Sequence, residues 1–591
     1  MDKNRFIRLF LISVSLLVYY FYVFNKPREE NQPPTAIPAS ETITPLSAAS
    51  QSNNLASTPF AIALHGEEKV FIVENELIKV FLSTKGGSIK KVVLKKYKDK
   101  NGQELVLLDD QSSTMGLVFP HKDTFIKTSL LHFQTQSPSS SILKEAEQTK
   151  IVFRLAFTPS QYLEQSFDFS GNSYQINYAW RAVSMEPYLQ KSNAFFIWNM
   201  DMRQLESDIK ADVAKSTINY YSSDQTFNNL KENSTQIEKK KIETPLKWVS
   251  IKQRFFSSAI IAEESFASGD ISLEPASSGK DITKTATLSL ALSEKNKENG
   301  SGAFTFFFGP NEYKTLQKVT KDFEQNLPLG WVVVKWVNQG LIIPLFSFLE
   351  KHFSNYGLII FLLVIAIKLL LAPLSYKSFI SMAKMKAVKP ELDKIKEKYG
   401  NNLQKMQAEQ MAFYKELGIN PLSGCVPLLL QMPILLAMFQ FFPNAIALRK
   451  APFLWAHDLS TYDSIIRLPF TIPIYGNHIS LFTLLMVCST ILYTWSSNQG
   501  NATEGPMKIL SYIMPITFMF VLNSFPAGLS FYYCVSNIAT FLQQTLTKYF
   551  VNEESVKEKL ISRQKRVKQN EKSSFQSRVV AAMQANNKKK K

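Results

Sequence analysis

The sequence is poor in the residues that build metal sites and disulfide frameworks. Its 591 residues include three cysteines and six histidines. The cysteines, Cys425, Cys488 and Cys534, all lie within apolar stretches, so they cannot form a disulfide scaffold or a four-cysteine zinc site. The phosphate-binding motif GxxxxGK[ST] and the zinc motif HExxH are also absent. We therefore expect no metal and no nucleotide cofactor.

The average composition conceals two unlike halves. Apolar residues make up 45% of the chain, charged residues 20%, and the mean hydropathy is -0.08, as in an ordinary soluble protein. About six apolar windows of about 20 residues would use only a fifth of the chain, and a polar domain elsewhere would cancel them in the mean. The formal net charge of +18 suits contact with anionic lipid or RNA.

Six apolar stretches fall within the range of about 17 to 25 residues that a helix needs to cross a membrane. They lie at 6–24, 357–374, 421–442, 479–497, 509–525 and 529–549. The first follows Lys3 and Arg5 and has no small-residue cleavage site after it, which predicts an uncleaved anchor over residues 1–25. The other five predict a membrane core over residues 357–549.

Basic residues are concentrated in two parts of the C-terminal half, at 376–419 and in the tail at 550–591. Lysine and arginine stay on the cytoplasmic side of a membrane, so both parts should be cytoplasmic. Six spans then place the amino terminus in the cytoplasm as well. The helical spacing in 376–419, interrupted by Gly400, Asn401 and Asn402, predicts a helical hairpin. A partner-recruiting surface and a merely solvated charged face both fit this hairpin.

The polar half between the first two spans predicts a domain on the outer side. Residues 26–59 are rich in Pro, Ser and Thr and predict a flexible linker. Residues 60–326 show short alternating runs separated by turn residues, which indicates one large all-β sandwich. Within it, 207–244 is expected to be a partly helical or mobile loop. Residues 327–356 predict a helix in the outer membrane interface, broken near Pro344, or else a packed connector.

Lys368 is an unusual residue for the middle of an apolar stretch. It lies about 9 Å before the predicted cytoplasmic end of the second span, and a central lysine costs about 2.5 to 3.5 kcal/mol. It therefore marks a functional site unless its side chain extends to the inner surface. Polar residues on other spans complete a candidate set: Gln431 on the third, and Tyr533, Asn537, Thr540 and Gln544 on one face of the sixth. We expect these residues to line a wet cavity, although polar contacts between helices would also explain them.

Three longer motifs connect the chain to a known family. NPLSGCVPLLLQMP at 420–433, FPAGLSFYYCVSN at 525–537 and SMAKMK at 381–386 closely resemble the YidC-type bacterial membrane protein insertases. The resemblance covers about 357–548, and the anchor with its large outer domain resembles the Gram-negative branch. It implies a polytopic inner-membrane protein with a five-helix core, a periplasmic β-supersandwich, and a hydrophilic groove that is open to cytoplasm and lipid but closed towards the outside.

The same resemblance implies a function and a site. Nascent membrane proteins would be inserted, alone or beside the Sec translocon, without nucleotide and without enzymatic chemistry. The family's groove charge falls on Lys368 and its polar neighbours on Gln431 and Tyr533. Well-known members carry arginine at the first position, and lysine keeps the charge but loses the planar fork. The basic tail suggests contact with ribosomes and anionic lipids.

Two other classes of protein fit parts of the sequence. In a transporter or channel, Lys368 would be a binding or gating charge, but the inverted repeats that favour this class are not visible. A sugar-binding or carbohydrate-active outer domain is also open, because the family's outer fold resembles sugar-binding enzymes, although fold alone does not establish activity. Intramembrane proteolysis is disfavoured, since the spans contain no pair of aspartates and only His478 near an edge.

Overall fold

The computed structural model describes residues 58–550, with gaps, together with Leu55, Glu558 and Ser562. The gaps are at 123, 187, 190–193, 277–280, 400–401, 418, 420–425, 474 and 499–505. The chain divides between Pro328 and Leu329 into two compact units. The predicted anchor at 1–25, and almost all of the predicted linker and tail, lie outside the described residues.

The unit before Leu329 is built mainly from β-strands, as predicted. In chain order they are β1 Val70–Glu74, β2 Ile78–Ser83, β3 Ser88–Lys98, β4 Glu104–Leu108, β5 Ser113–His121, β6 Thr124–Lys127, β7 Ser140–Ile142, β8 Gln148–Thr158, β9 Gln161–Ser170, β10 Gln175–Val183, β11 Phe195–Arg203, β12 Thr217–Ser222, β13 Phe227–Asn229, β14 Glu238–Ile242, β15 Leu246–Lys252, β16 Phe256–Phe266, β17 Ser268–Pro275, β18 Ile282–Ala291 and β19 Ser301–Pro310. They form a five-stranded sheet β4-β3-β2-β1-β7, an eight-stranded sheet β13-β12-β15-β16-β19-β10-β9-β8 and a six-stranded sheet β14-β17-β18-β11-β5-β6.

Alternating burial produces the core of this unit. On β10, Ile176, Tyr178 and Trp180 are buried, and the residues between them are more exposed, because successive side chains of a strand point to opposite faces. The eight- and six-stranded sheets contact each other through aromatic rings. The ring centroids of Trp198 on β11 and Phe306 on β19 lie 5.9 Å apart, edge to face. A large β-rich domain with two facing sheets is therefore present.

The segment 207–244 is more regular than predicted. It contains helix α1, Ile209–Lys215, followed by β12, β13 and β14. Asp208 begins the helix by accepting hydrogen bonds from the backbone N–H groups of Lys210 and Ala211. Helix α1 agrees with the partly helical alternative, but the three strands were not predicted. Of these, β14 is a lysine-rich edge strand with mostly exposed residues, and such strands lack the alternation that identifies a strand in sequence. Two further short helices, α2 Glu294–Asn299 and α3 Tyr313–Gln317, complete this unit.

The unit that begins at Leu329 is mainly helical. Its helices are α4 Val332–Val337, α5 Ile343–His352, α6 Tyr356–Ala387, α7 Lys389–Tyr399, α8 Leu403–Leu417, α9 Val426–Asn444, α10 Leu481–Asn498, α11 Pro506–Leu522 and α12 Ala527–Phe550. Within the described ranges, two helical stretches are long and apolar enough to cross a membrane, Val332–His352 and Tyr356–Ala387, and Ile509–Leu522 is apolar but shorter. Helices α9, α10, α11 and α12 cover the other predicted spans between 421 and 549.

The segment predicted to lie in the membrane interface is one helix with a widened turn. A π-helical turn at Asn338–Ile342 joins α4 to α5, and Pro344 stands in the first turn of α5. The helix continues through Val332–His352, so the predicted break at Pro344 is wrong. Pro344 lacks the N–H that an interior helical residue donates, and the chain widens into the π turn immediately before it.

Helix α6 is longer than the apolar stretch that predicted it. The side chain of Asn355 caps its first turn by accepting from the N–H of Leu358 at 3.0 Å. The whole helix has 32 residues and extends past the predicted end of the span at 374. Pro373 lies inside the helix and does not end it. The predicted hairpin follows as α7 and α8, which are separated at 400–402 as expected.

Candidate functional site

Lys368 is buried in the interface between α6 and α12. Its side chain is 7% exposed, and its ammonium group donates to the hydroxyl of Thr540 at 2.8 Å. That hydroxyl donates in turn to the backbone carbonyl of Ser536 at 2.7 Å, so its lone pairs face the lysine. Gln543 donates to the backbone carbonyl of Lys368 at 3.3 Å. The structure therefore brings together Lys368 and Thr540, two of the predicted site residues.

The charge of Lys368 is not neutralised inside the described part of the chain. No carboxylate lies within ion-pair distance of its ammonium group there, and its one side-chain partner is a neutral hydroxyl. An ammonium group in a low-dielectric site is costly unless it is paired or hydrated. A single hydroxyl uses one of its three donors. Two donors remain to bind water or an incoming acidic group.

Asn537 lies one turn before Thr540 on α12 but contacts a different helix. Its amide donates to the hydroxyls of Thr490 at 2.7 Å and Ser489 at 3.2 Å on α10. Both hydroxyls donate to the backbone carbonyl of Met486, so they are oriented to accept. This contact holds α10 against α12, as polar pairs between membrane helices do.

The remaining predicted residues are distributed around the same helices. Tyr533 donates from its hydroxyl to the carbonyl of Leu435 on α9 at 3.4 Å. Gln544 is buried, and its side-chain oxygen has no hydrogen-bond partner in the described part of the chain. Gln431 is half-buried on α9, and no hydrogen bond joins it to Lys368 within the described ranges. The predicted stripe on α12 therefore meets three neighbouring helices, α6, α9 and α10.

Several polar residues on the same helices as the predicted site were not predicted as part of it. They are Ser489 and Gln543, which bond to Asn537 and Lys368 respectively, and three buried serines of α6: Ser375, Ser378 and Ser381. The serines continue the buried face of α6 beyond Lys368 at helical spacing, a pattern visible in the sequence. No signal in the sequence identifies Gln543, because this residue lies next to Gln544 but not on the face of α12 that carries the predicted residues.

Residues 445–480 cover one end of the helices, and we call them the 445–480 cap. Phe453 packs directly on the backbone of Gly357 in the first turn of α6, where a Cβ atom would clash with the ring. The first turn of α12 donates from the N–H groups of Ala527 and Gly528 to carbonyls of the cap at 2.7 and 3.0 Å. The cap thus closes the ends at which α6, α10 and α12 begin.

Asp463 organises the attachment of the cap to α10. One carboxylate oxygen accepts from the backbone N–H groups of Leu481 and Phe482 at 2.9 and 3.0 Å and from the Trp455 indole at 2.8 Å. The other accepts from Ser480. The carboxylate therefore satisfies the unpaired amides at the start of a helix and compensates the helix dipole.

Asn523, between α11 and α12, fixes the cap from the other side. Its amide donates to the carbonyls of Tyr475 and His478 at 3.0 and 2.8 Å, and its oxygen accepts from the N–H of Ser480. Asn523 is fully buried, so these bonds are made away from water. Together with Asp463, they form a polar closure at this end of the bundle, some 18 Å along α6 from Lys368 at about 1.5 Å per residue.

Sequence comparison decides the family to which this arrangement belongs. The chain matches the family "YidC periplasmic domain" over residues 71–344 and the family "60Kd inner membrane protein" over residues 348–554. It is 50% identical over 589 residues to a membrane protein insertase YidC from Amoebophilus asiaticus, covering 99% of both chains. The chain belongs to the YidC family of membrane protein insertases. A YidC of Cytophaga hutchinsonii is 39% identical, over 94% of this chain and 92% of the relative.

Solved structures show weaker overall similarity. A crystal structure of an active YidC insertase with its first transmembrane domain resolved covers 85% of this chain and 98% of its own, at 16% identity and a TM-score of 0.33. A putative aldose 1-epimerase of Escherichia coli covers 41% of this chain at 11% identity and a TM-score of 0.27.

Membership of the YidC family confirms the resemblance drawn from the three motifs. The chain is an inner-membrane protein with a large β-rich periplasmic domain. The family matches also favour an insertase over the transporter, channel and carbohydrate-active alternatives, and over an enzyme of any kind.

Proposed function

We propose that this chain inserts nascent membrane proteins through a hydrophilic groove built around Lys368. The observation that carries the proposal is a buried cation with a neutral partner on one of the two described stretches long enough to span the membrane. Such a charge is retained at a cost of about 2.5 to 3.5 kcal/mol. A water-filled approach to it shortens the apolar path that the polar flank of a new helix must cross.

The groove consists of Lys368 together with the polar residues predicted from the sequence: Gln431, Tyr533, Asn537, Thr540 and Gln544. Lys368 attracts acidic groups in the flank of the incoming segment. The electric field of Lys368 acts on all of these polar residues, because neutral hydroxyl and amide groups orient around a charge without cancelling it. The segment then leaves into lipid along α9 and α11, where the flexible side chains of Met432 and Met514 are 44% and 51% exposed.

The proposed topology has six spans with both termini in the cytoplasm of a Gram-negative bacterium. The basic hairpin α7–α8 and the basic tail then lie on the cytoplasmic side, and the 445–480 cap lies on the periplasmic side. A polar closure at the cap end supports a groove that opens only towards the cytoplasm and the lipid. The domain organisation follows the boundaries predicted from the sequence, except that the cytoplasmic hairpin begins with α7 at Lys389, because residues up to Ala387 belong to α6.

Three partners besides the nascent chain complete the proposal. The basic tail at 550–591 binds ribosomes and anionic lipid headgroups by long-range attraction. The Sec translocon works beside the protein on some substrates. The hairpin α7–α8 offers a recruiting surface. It lies close to the end of α6, because one buried cluster holds the two together: Val388, Leu392, Leu417 and Ile419.

Site-specific crosslinking during synthesis of a small membrane protein tests the groove. A photoreactive residue at Lys368 or Gln431 should crosslink to the nascent chain. Leu369 is a matched control, because it is the next residue of α6 but is 67% exposed and so points away from the buried Lys368. Crosslinks of equal strength from 368 and 369, or none from 368 and 431 in an active protein, would contradict the proposed path.

A further inference from the structure

The 445–480 cap contains a two-stranded hairpin with an uncovered apolar face. The hairpin consists of β20, Ile466–Ile472, and β21, Gly476–Ile479. Apolar residues occupy every second position of β20, at Ile466, Leu468, Phe470 and Ile472. Ile466 and Phe470 are 52% and 60% exposed. A half-exposed phenylalanine in an amphipathic strand indicates a surface that is covered in the working protein.

The hairpin is attached to α10 and, through the rest of the cap, to α6, which is long enough to span a membrane. Ile479, the last residue of β21, is followed at once by Ser480 and then by α10, and the hairpin is held by the hydrogen bonds from Asn523 to Tyr475 and His478. The same cap packs on the first turn of α6 through Phe453. The apolar stretch of α6, a helix long enough to span the bilayer, begins at Gly357 beside the cap, so this end of the helix marks the level of the membrane surface. The hairpin therefore lies at the level of the lipid headgroups.

The chemistry of the strand favours lipid over a protein partner. Pro469 cannot donate to a strand ladder, and pairing is irregular between Arg467 and Ile472, so β20 is a poor template for pairing with another strand. Arg467 lies on the opposite face of the strand from Ile466, where a guanidinium group can reach phosphates while the exposed apolar side chains enter the acyl chains. A second projection of the cap has the same character, since Leu454 is 68% exposed and adopts a left-handed backbone with φ of 52°.

We infer that the β20–β21 hairpin is a lipid anchor whose apolar face, with Ile466 and Phe470, is inserted at the headgroup and acyl-chain boundary of the bilayer. The bilayer is continuous with the lipid that surrounds the neighbouring helices. Anchoring the cap in this way holds the closed end of the bundle against the membrane surface. The inference needs only the membrane location of the helices and does not depend on how the groove handles substrates.

The depth of a spin label tests this anchor directly. In the full chain with Cys425, Cys488 and Cys534 replaced by alanine, Phe470→Cys and Ile466→Cys are labelled and reconstituted into vesicles of phosphatidylethanolamine and phosphatidylglycerol. Both labels should report a position about 5 to 10 Å below the headgroups, with collisions favouring oxygen over a water-soluble nickel complex. Arg467→Cys, next to Ile466 on the opposite face of the strand, should lie shallower. Glu264→Cys, an exposed residue of the β-rich unit, gives the value for free water.

Two results would overturn the inference. Labels at 466 and 470 that match the Glu264→Cys value would show that the hairpin stands in water. Labels shielded from both oxygen and the nickel complex, and strongly immobilised, would show that protein covers the face. Either result can be read in protein whose insertion activity is intact, because these side chains are exposed and outside the proposed groove.

Discussion

Replacing Lys368 by methionine should separate the role of its charge from that of its volume. Methionine keeps the unbranched apolar stem and removes the ammonium group. The fold should persist, because no described carboxylate is left unpaired and Thr540 keeps its bond to Ser536. A charge and a carboxylate about 4 Å apart interact by about 4 kcal/mol at an effective dielectric constant of about 20. Hydration of both groups before they meet offsets the larger part of this.

A net attraction of about 1 to 2 kcal/mol between Lys368 and a substrate carboxylate corresponds to about a five- to thirtyfold change in the amount of substrate held in the groove. We therefore expect Lys368→Met to reduce insertion of a substrate with an acidic translocated tail by about this factor. The same substrate with its Asp and Glu changed to Asn and Gln should be affected little. Lys368→Arg should insert both, because the cation is kept. Lys368→Ala should resemble Lys368→Met, which excludes an effect of side-chain volume.

Protease protection of the translocated tail in reconstituted vesicles measures this effect. Each variant is compared with the unmodified chain at equal amounts of folded protein, checked by its thermal transition in detergent. Undiminished insertion of acidic tails by Lys368→Met would refute the role of the charge in the groove. A loss that is equal for acidic and neutral tails would assign Lys368 to structure instead.

Three further predictions concern other parts of the chain. Burial, and to a lesser extent the charge of Glu206, raises the pKa of Asp212 to about 7 from an ordinary value of 3.8. The folded protein therefore holds this proton more tightly than the unfolded chain does. The corresponding contribution to the free energy of unfolding is present in full below about pH 4 and is lost, by up to about 4 kcal/mol, as the pH rises through 7. Asp212→Asn should remove this pH dependence, measured by hydrogen exchange around α1. Asp463→Ala should lower the unfolding free energy by about 2 to 4 kcal/mol, because several buried donors lose their acceptor, as seen in thermal denaturation. Removing residues 551–591 should weaken ribosome cosedimentation at low salt but much less at high salt.

Each of these predictions has a control. Protection around α1 that falls with pH equally in Asp212→Asn and the unmodified chain would assign the slope to other groups. Asp458 is the matched control for Asp463, since in the described part of the chain its side chain bonds to Ser460 alone, in a local turn. An equal loss from both alanine variants would contradict the capping argument. Unchanged ribosome binding without the tail would exclude the tail as a docking site.

The parts of the fold that depend on periodicity could be predicted from the sequence. The β-rich domain and the helical hairpin follow from spacings of two and about 3.6 residues. Helix α6 exceeded its apolar stretch because polar residues after Pro373 keep helical propensity while hydropathy falls, and hydropathy alone reports where lipid ends. The lysine-rich edge strand β14 was missed because its exposed side chains do not alternate.

The candidate site was predictable as a set but not as a geometry. The spacing of Tyr533, Asn537, Thr540 and Gln544 places them on one face of α12. It does not say which neighbour each one meets, because that depends on how several helices pack around α12 at once. Thr540 contacts Lys368, while Asn537 contacts α10. Gln543 bonds to the backbone of Lys368, and a contact with a backbone carbonyl leaves no pattern in the partner's sequence.

The length of α6 makes it a mechanical connection between the two faces of the membrane. Its 32 residues extend about 48 Å at about 1.5 Å per residue, well beyond about 30 Å of hydrocarbon. One end is held by the cap through Gly357, and the other packs on the hairpin through Met385 and Ala387. A load applied to the hairpin by a docked partner would therefore tilt α6 about its fixed end. Lys368 would move with the helix, and α6 could bend at Pro373, because a proline inside a helix removes one backbone hydrogen bond.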